Sequence, residues 1–434
     1  MKRNIAIIWG VSALMLMTSC VGEQEDIFDE SSALRLEHAV SNYNDLLCSA
    51  TNGWVMQYFA RSSECGYPML VKFSKSGAVE IAAKNKYSSN NVYAQESSLF
   101  EIISDNGPVL TFNSYNNLLH IFSTPEDIPG TDDKEEGLGH EGDYEFVLYS
   151  VSEDQNTIYM KGKKYGLDIL LYRLPETQGW EDYFTQLEAV RDELFNSKVT
   201  TLYMTTDKGD FTITGMSTGM FDFVPKGGDA ISETVSVGYI LTTDKKVSLA
   251  VPFTGNDNIF SIRNFTLSEE GILVCTDEGG ENAQISAGGE ANMVTNTDYK
   301  WRMDKNSLEG AFVDAYANVV SGTRAYKSNT TFQYFELSYD ASAQKYSLYF
   351  KTTRYSGRIY LDVVTEGNTV QFTYNGECDS NGSVFMRDVE AYRTFVDLLT
   401  SMKYTMVGNS PLAMVEISMH SVETPENGFV IALQ

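Results

Sequence analysis

The stretch from Phe332 to Tyr374 constrains the fold more than any other part of the chain. Phe332 to Asp340, Tyr346 to Phe350, Ile359 to Val364 and Val370 to Tyr374 alternate between apolar and polar residues, with turn residues between the runs. A period of two puts every second side chain on one face, so these runs read as antiparallel strands with one side buried. Shorter runs of the same kind recur at Met69 to Phe73, Ala78 to Ala83, Val109 to Phe112, Tyr144 to Tyr149, Phe211 to Thr214, Thr234 to Leu241, Met414 to Met419 and Phe429 to Leu433. Four segments switch to helical spacing: Leu36 to Ala50, Trp180 to Leu194, Leu308 to Val319 and Val389 to Leu399. Strands and helices do not alternate regularly, which argues against a doubly wound parallel sheet and its nucleotide crevice. The predicted class is α+β and β-dominated: antiparallel meander sheets, each packed by one or two amphipathic helices, in at least two lobes.

The first residues carry an address. Lys2 and Arg3 precede an apolar run from Ile5 to Met17, which ends in Met17-Thr18-Ser19-Cys20. A secretory signal has this order of charged, apolar and small residues, and the run falls short of the roughly 20 residues a helix needs to cross a bilayer. The end of the run resembles a bacterial lipobox with Met17 at the usual Leu position, so Cys20 is the expected lipidation site. The expected organisation is a lipoprotein signal peptide (1–19), an acidic lipid-anchored tether (20–30), an N-terminal helix-plus-sheet lobe (31–176) and a C-terminal β-rich region (177–434), divided near 290–305. Glu23, Glu25, Asp26, Asp29 and Glu30 make the tether a solvated segment. The polar, Gly-rich stretch from Asp277 to Thr297 reads as a long exposed loop or a break between lobes.

Against 32 Lys+Arg stand 59 Asp+Glu, a net charge of -27. Such a body repels phosphate backbones, and no nucleic-acid partner is expected. Cys48, Cys65, Cys275 and Cys378 permit two disulfides in three pairings; Cys48 with Cys65 is the most local pair, and four free thiols are equally acceptable. Gly215-Met216-Ser217-Thr218-Gly219 matches a nucleophile elbow, but strand-like residues on both sides make it a Gly-rich hairpin turn. Gly137-Leu138-Gly139-His140-Glu141-Gly142 lacks the flanking strand and helix of a dinucleotide loop, and His140-Glu141 lacks the second His of a zinc helix because Tyr144 stands there. Eight acids crowd Glu126 to Asp143. The preferred reading is a solvated loop; calcium is the alternative, with Asp132, Glu136 and Asp143 as candidate ligands and Lys134 as the misfit. Among aromatic residues, Trp54 and Trp180 read as core. Trp301, surrounded by Asp298, Lys300, Arg302 and Asp304, is the candidate exposed binding residue, together with the polar aromatic turn at Tyr115 and Asn116.

A succession of motifs carries a family likeness: Asn52-Gly53-Trp54 with Tyr58, Gly66-Tyr67, Leu110 to Asn116 with His120 to Ser123, and Gly142-Asp143-Tyr144-Glu145-Phe146. Over about residues 25–175 the chain resembles domain-of-unknown-function family 4302, lipoproteins of the Bacteroidota. The resemblance implies residence at the outer membrane, facing the cell exterior, alongside SusC/SusD-like nutrient importers, and it brings no active site. The function expected is a non-enzymatic accessory binding or docking factor for glycan or peptide uptake, with no catalytic residues and no cofactor other than the calcium alternative. A hydrolase of glycan or peptide with an unrecognised carboxylate pair, and an adhesin or structural surface protein, are the alternatives.

Overall fold

The computed structural model describes residues 31–125, 139–227, 234–255, 261–280 and 282–434. It is β-dominated, with antiparallel sheets in three barrel-like lobes. Helix α1 (Ser32–Cys48) opens the first lobe, its N-terminus capped by the Ser31 hydroxyl, which accepts the Leu34 N–H at 3.3 Å. Its apolar stripe, Val40, Tyr43, Leu46 and Leu47, packs on the core. Gly53 then turns the chain with φ of +85°; a Cβ there would lie 2.5 Å from the Val71 carbonyl oxygen.

Nine strands follow: β1 (Trp54–Tyr58), β2 (Tyr67–Phe73), β3 (Ala78–Ala83), β4 (Ala94–Leu99), β5 (Glu101–Asp105), β6 (Gly107–Thr111), β7 (Glu145–Val151), β8 (Thr157–Gly162) and β9 (Asp168–Arg173). The sheet order is β4-β3-β2-β1-β9-β8-β7-β6-β5. Helix α2 (Asn117–His120) follows β6 in the chain. Strands β4 and β5 lie at opposite edges of the sheet, yet only Phe100 separates them in sequence. One residue spans at most ~3.6 Å, so the sheet must curl until its edges meet. Main-chain bonds close the seam on both sides: the Phe100 N–H donates to the Gly77 carbonyl at 2.9 Å and the Asn113 N–H to the Leu99 carbonyl at 3.1 Å. Inside lie Tyr58, Phe73, Phe100, Phe112, Phe122 and Phe146.

Helix α3 (Trp180–Leu194) leads into the middle barrel, buries Tyr183, Phe184, Leu187, Val190 and Leu194, and ties to both neighbours. Glu188 pairs with Lys84 of the first lobe at 2.7 Å, and Glu193 with Lys245 of the barrel at 2.6 Å. The barrel is closed and sequential: β10 (Leu202–Thr205), β11 (Phe211–Thr214), β12 (Met220–Pro225), β13 (Val235–Leu241), β14 (Lys246–Phe253), β15 (Ile262–Leu267), β16 (Leu273–Cys275) and β17 (Gln284–Ser286), with β17 bonded back to β10. Phenylalanines fill it, and Phe223 and Phe253 stack at 4.0 Å.

The 287–299 segment between the barrels holds helix α4 (Gly289–Thr295), where the polar, Gly-rich composition reads as loop. The second closed barrel comprises β18 (Lys300–Met303), helix α5 (Ala311–Tyr326), β19 (Phe332–Asp340), β20 (Lys345–Thr352), β21 (Ser356–Glu366), β22 (Thr369–Cys378), helices α6 (Ser380–Asp388) and α7 (Glu390–Thr400), β23 (Lys403–Gly408), β24 (Glu416–Ser421) and β25 (Gly428–Leu433). Helices α5 and α7 pack together, with Phe312 against Phe395 and a 3.0 Å hydrogen bond between Thr323 and Tyr392.

Side chains join the two barrels. The Tyr299 hydroxyl accepts the N–H groups of Thr200 and Thr201 at 3.0 and 3.2 Å, Lys198 donates to the Leu433 carbonyl at 2.8 Å, and a Glu290 oxygen accepts the Gly408 N–H at 3.1 Å. One main-chain bond, Ala287 N–H to the Pro411 carbonyl at 2.8 Å, accompanies them.

Candidate functional site

Several residues singled out in the sequence prove structural. Trp301 is not exposed: it lies 1% accessible on β18 and donates its indole N–H to the Met293 carbonyl at 3.0 Å. Its polar neighbours misled the reading, because Lys300 and Arg302 alternate outward while Trp301 and Met303 alternate inward. Asn116 is likewise fully buried, capping α2 by accepting the Leu118 N–H at 3.0 Å and donating to Ser98 at 3.2 Å. Tyr115 is 61% exposed and lies 5.2 Å from the His120 ring, which has Tyr144 as a second ring neighbour at 5.2 Å. Asp143 is buried; its two oxygens accept the backbone N–H groups of Lys164 and Tyr165 at 2.7 and 3.0 Å. Burial raises its carboxyl above the ordinary value, and these bonds offset that only in part. Asp132, Glu136 and Cys20 lie outside the described residues, and among the described residues no three His, Cys, Asp or Glu side chains cluster as a metal site. Cys48, Cys65, Cys275 and Cys378 form no disulfide, so the Cys48–Cys65 pairing is not made: Cys48 ends α1, whereas Cys65 packs against the middle barrel at Gly219.

The residues that carried the family likeness explain themselves physically. The Trp54 indole donates to the Leu47 carbonyl at 2.9 Å, locking the last turn of α1 onto β1. The Tyr58 hydroxyl donates to the Asp143 carbonyl at 3.1 Å, and a Cβ on Gly142 would collide with that same hydroxyl. They hold the first lobe shut.

Gly66 has a different task. Between β1 and β2 the chain passes over the rim of the middle barrel, where the Gly66 N–H donates to the Tyr239 carbonyl at 2.9 Å and the Gly238 N–H to the Ser62 carbonyl at 2.8 Å. Main chains approach this closely only without side chains. A Cβ on Gly66 would stand 2.6 Å from Ile240, one on Gly238 would strike the Glu64 carbonyl oxygen, and one on Gly219 would strike the Cys65 side chain. Gly219 closes the Gly-x-Ser-x-Gly turn, a single 3₁₀ turn between β11 and β12 with Gly215 and Gly219 at φ of +80° and +82°. The motif therefore forms a lobe contact and a hairpin, with no helix behind the serine.

Above this contact opens a cleft of about 730 Å³. One wall comes from the Arg61–Pro68 turn and the loop after β3 (Lys84, Lys86, Tyr87, Asn91); the other comes from Arg191 of α3 and from Ser217, Thr218 and Met220. Arg61, Lys84, Lys86 and Arg191 face one carboxylate, Glu64, the reverse of the charge balance of the whole chain. Glu64 is engaged: it accepts the Tyr67 hydroxyl at 3.0 Å and the buried His140 Nδ1 at 2.6 Å, and lies 4.0 Å from Arg61. Burial pushes the Cys65 thiol upward, away from the thiolate a nucleophile needs, and raises the Tyr67 phenol as well. These residues lie too far apart in sequence to be read together, although Gly66-Tyr67 and the Gly-x-Ser-x-Gly turn each mark a part.

A family model described as a domain of unknown function, DUF4302, matches residues 24–269, more than half of the chain. The chain belongs to that family. The DUF4302 match runs past the first lobe and takes in both walls of the cleft. No curated protein matches. Among solved structures, the DNA polymerase III β chain of Streptococcus pneumoniae TIGR4 aligns at 11% identity over 92% of this chain and 97% of its own, with a TM-score of 0.12. The isotype 1 transferrin binding protein B of serogroup B Neisseria meningitidis aligns at 9% identity over 86% and 67%, with a TM-score of 0.13. Scores this low establish no shared fold.

Proposed function

We propose that this DUF4302 chain is a lipid-anchored surface protein that binds its ligand without transforming it, in the cleft between the first lobe and the middle barrel, as an accessory factor for glycan or peptide uptake at the outer membrane. The cleft itself carries the reading: a pocket built by two lobes, lined by four cations and by a single carboxylate already held by Tyr67 and His140. General acid–base hydrolysis needs a second carboxylate or an imidazole facing the substrate; the imidazole that reaches Glu64, His140, is fully buried behind it and does not line the cleft, and Ser217 has no hydrogen-bonded histidine among the described residues. Anchoring rests on the Cys20 signal. SusC/SusD-like importer components are the partners this location favours.

Intact mass of the protein from cells should report a diacylglyceryl group on a chain beginning at Cys20, and a tagged copy should recover importer components. Turnover of a glycan or peptide by the purified chain would overturn the reading, as would a native chain without acyl groups.

A further inference from the structure

Resting on that reading, we infer that the cleft is selective for an acidic saccharide, a short oligosaccharide bearing carboxylate or sulfate groups. Charge supplies the first half of the argument. In a chain with nearly twice as many acids as bases, Arg61, Lys84, Lys86 and Arg191 converge on one concavity. Lys84 pairs with Glu188 at 2.7 Å and Arg61 with Glu141 at 3.2 Å. Arg191, exposed on α3, forms no ion pair among the described residues and is close enough to feel the Cys65 and Tyr239 side chains electrostatically. A guanidinium held over a polar cleft presents a planar fork to a carboxylate or sulfate. Concave walls of one sign also concentrate counter-charged ligands from a distance, here against the repulsion of the rest of the surface.

Shape and polarity supply the second half. The volume, about 730 Å³, lies within the range of small-ligand sites. Its uncharged polar lining includes Ser63, Asn91 and Ser217, all exposed, which suit ring hydroxyls. Peptide side chains would need apolar sub-pockets or a free strand edge, and the non-aromatic apolar lining is limited to Met220, Pro68 and the half-buried Cys65.

The test is calorimetric titration of the full mature chain with tri-galacturonate, its methyl ester and a tri-glutamate peptide, at low and high salt. Tri-galacturonate should bind and weaken with salt, while the ester and the peptide bind far more weakly. Arg191→Ala and Lys86→Ala should each cost about tenfold in affinity, with Arg191→Lys retaining part of it and melting temperatures unchanged. Equal binding of the ester, preference for the peptide, indifference to Arg191→Ala, or retention of no probe by the folded chain would each overturn the acidic-saccharide inference and leave the importer pull-down to decide the broader reading. A probe returned cleaved would overturn the broader reading instead.

Discussion

Where the first lobe meets the middle barrel, main chain bonds main chain at Gly66 and Gly238, Gly219 leaves room for the Cys65 side chain, and one ion pair, Arg263 with Asp168 at 2.8 Å, stands beside them; where the middle barrel meets the second barrel, Tyr299, Lys198 and Glu290 reach across. The close backbone approach at the first joint depends on atoms that are missing, the side-chain bridges at the second on atoms that are present. The cleft of about 730 Å³ sits at the first, against about 360 Å³ for the cavity beside the second, lined in part by Thr200 and Asp298. Backbone contact fixes the two walls without filling the space above them, whereas long side chains fill the space they cross. The first joint should therefore break on addition and the second on truncation.

The largest effect expected is on the truncation side. Trp301→Ala removes a buried indole and leaves the Met293 carbonyl without its donor, so the chain should lose about 4 kcal/mol in denaturant unfolding while the cleft keeps its ligand affinity. Gly238→Val is the converse: its Cβ meets the Glu64 carbonyl, and about 3 kcal/mol of strain should separate the first lobe's unfolding from that of the barrel and abolish binding. One cooperative transition with intact binding would show that the glycines are incidental. Tyr299→Phe strips the acceptor from two N–H groups and should cost about 2 kcal/mol, again sparing the cleft.

A smaller difference separates the lobes in acid. Burial alone would raise the Asp277 carboxyl, but the Asn264 side-chain amide and the N–H groups of Asn264 and Arg263 together hold it below its usual value. A depressed folded-state value means stability present above the unfolded pKa of about 3.9 and lost as pH falls through the folded one. Asp143, raised, has the opposite sign: its contribution is complete at low pH and is lost as pH rises through its folded value. Hydrogen exchange resolved by lobe, taken from about pH 6 to about pH 3, should show the middle barrel loosening before the first lobe, and Asp277→Asn should flatten that response. Ser217→Ala, at an exposed turn, should move stability by no more than about 0.5 kcal/mol.

Period-two alternation was enough to read the antiparallel class, because each strand carries its own record of which face is buried. The same rule, applied to Lys300-Trp301-Arg302-Met303, turns Trp301 inward; attention to charged neighbours in place of alternation pointed the other way. Closure of the lobes was not legible, since it depends on pairings such as Trp54 with Arg173 that leave no local trace. Helix α4 hides for another reason: it is seven residues long and opens on two left-handed glycines, Gly288 as its cap and Gly289 as its first residue, in a segment whose composition reads as loop. The cleft escaped notice because its cations come from three separate elements, each of which looks like an ordinary charged surface.

The pairing of β1 with β9 has a consequence in time. Trp54 waits for Arg173, 119 positions further on, so the first lobe cannot complete its sheet until most of its chain is available. Contacts of such sequence separation slow the search for the native state. On the export route proposed for this chain, that delay keeps the half-made lobe pliable until its last strand has emerged.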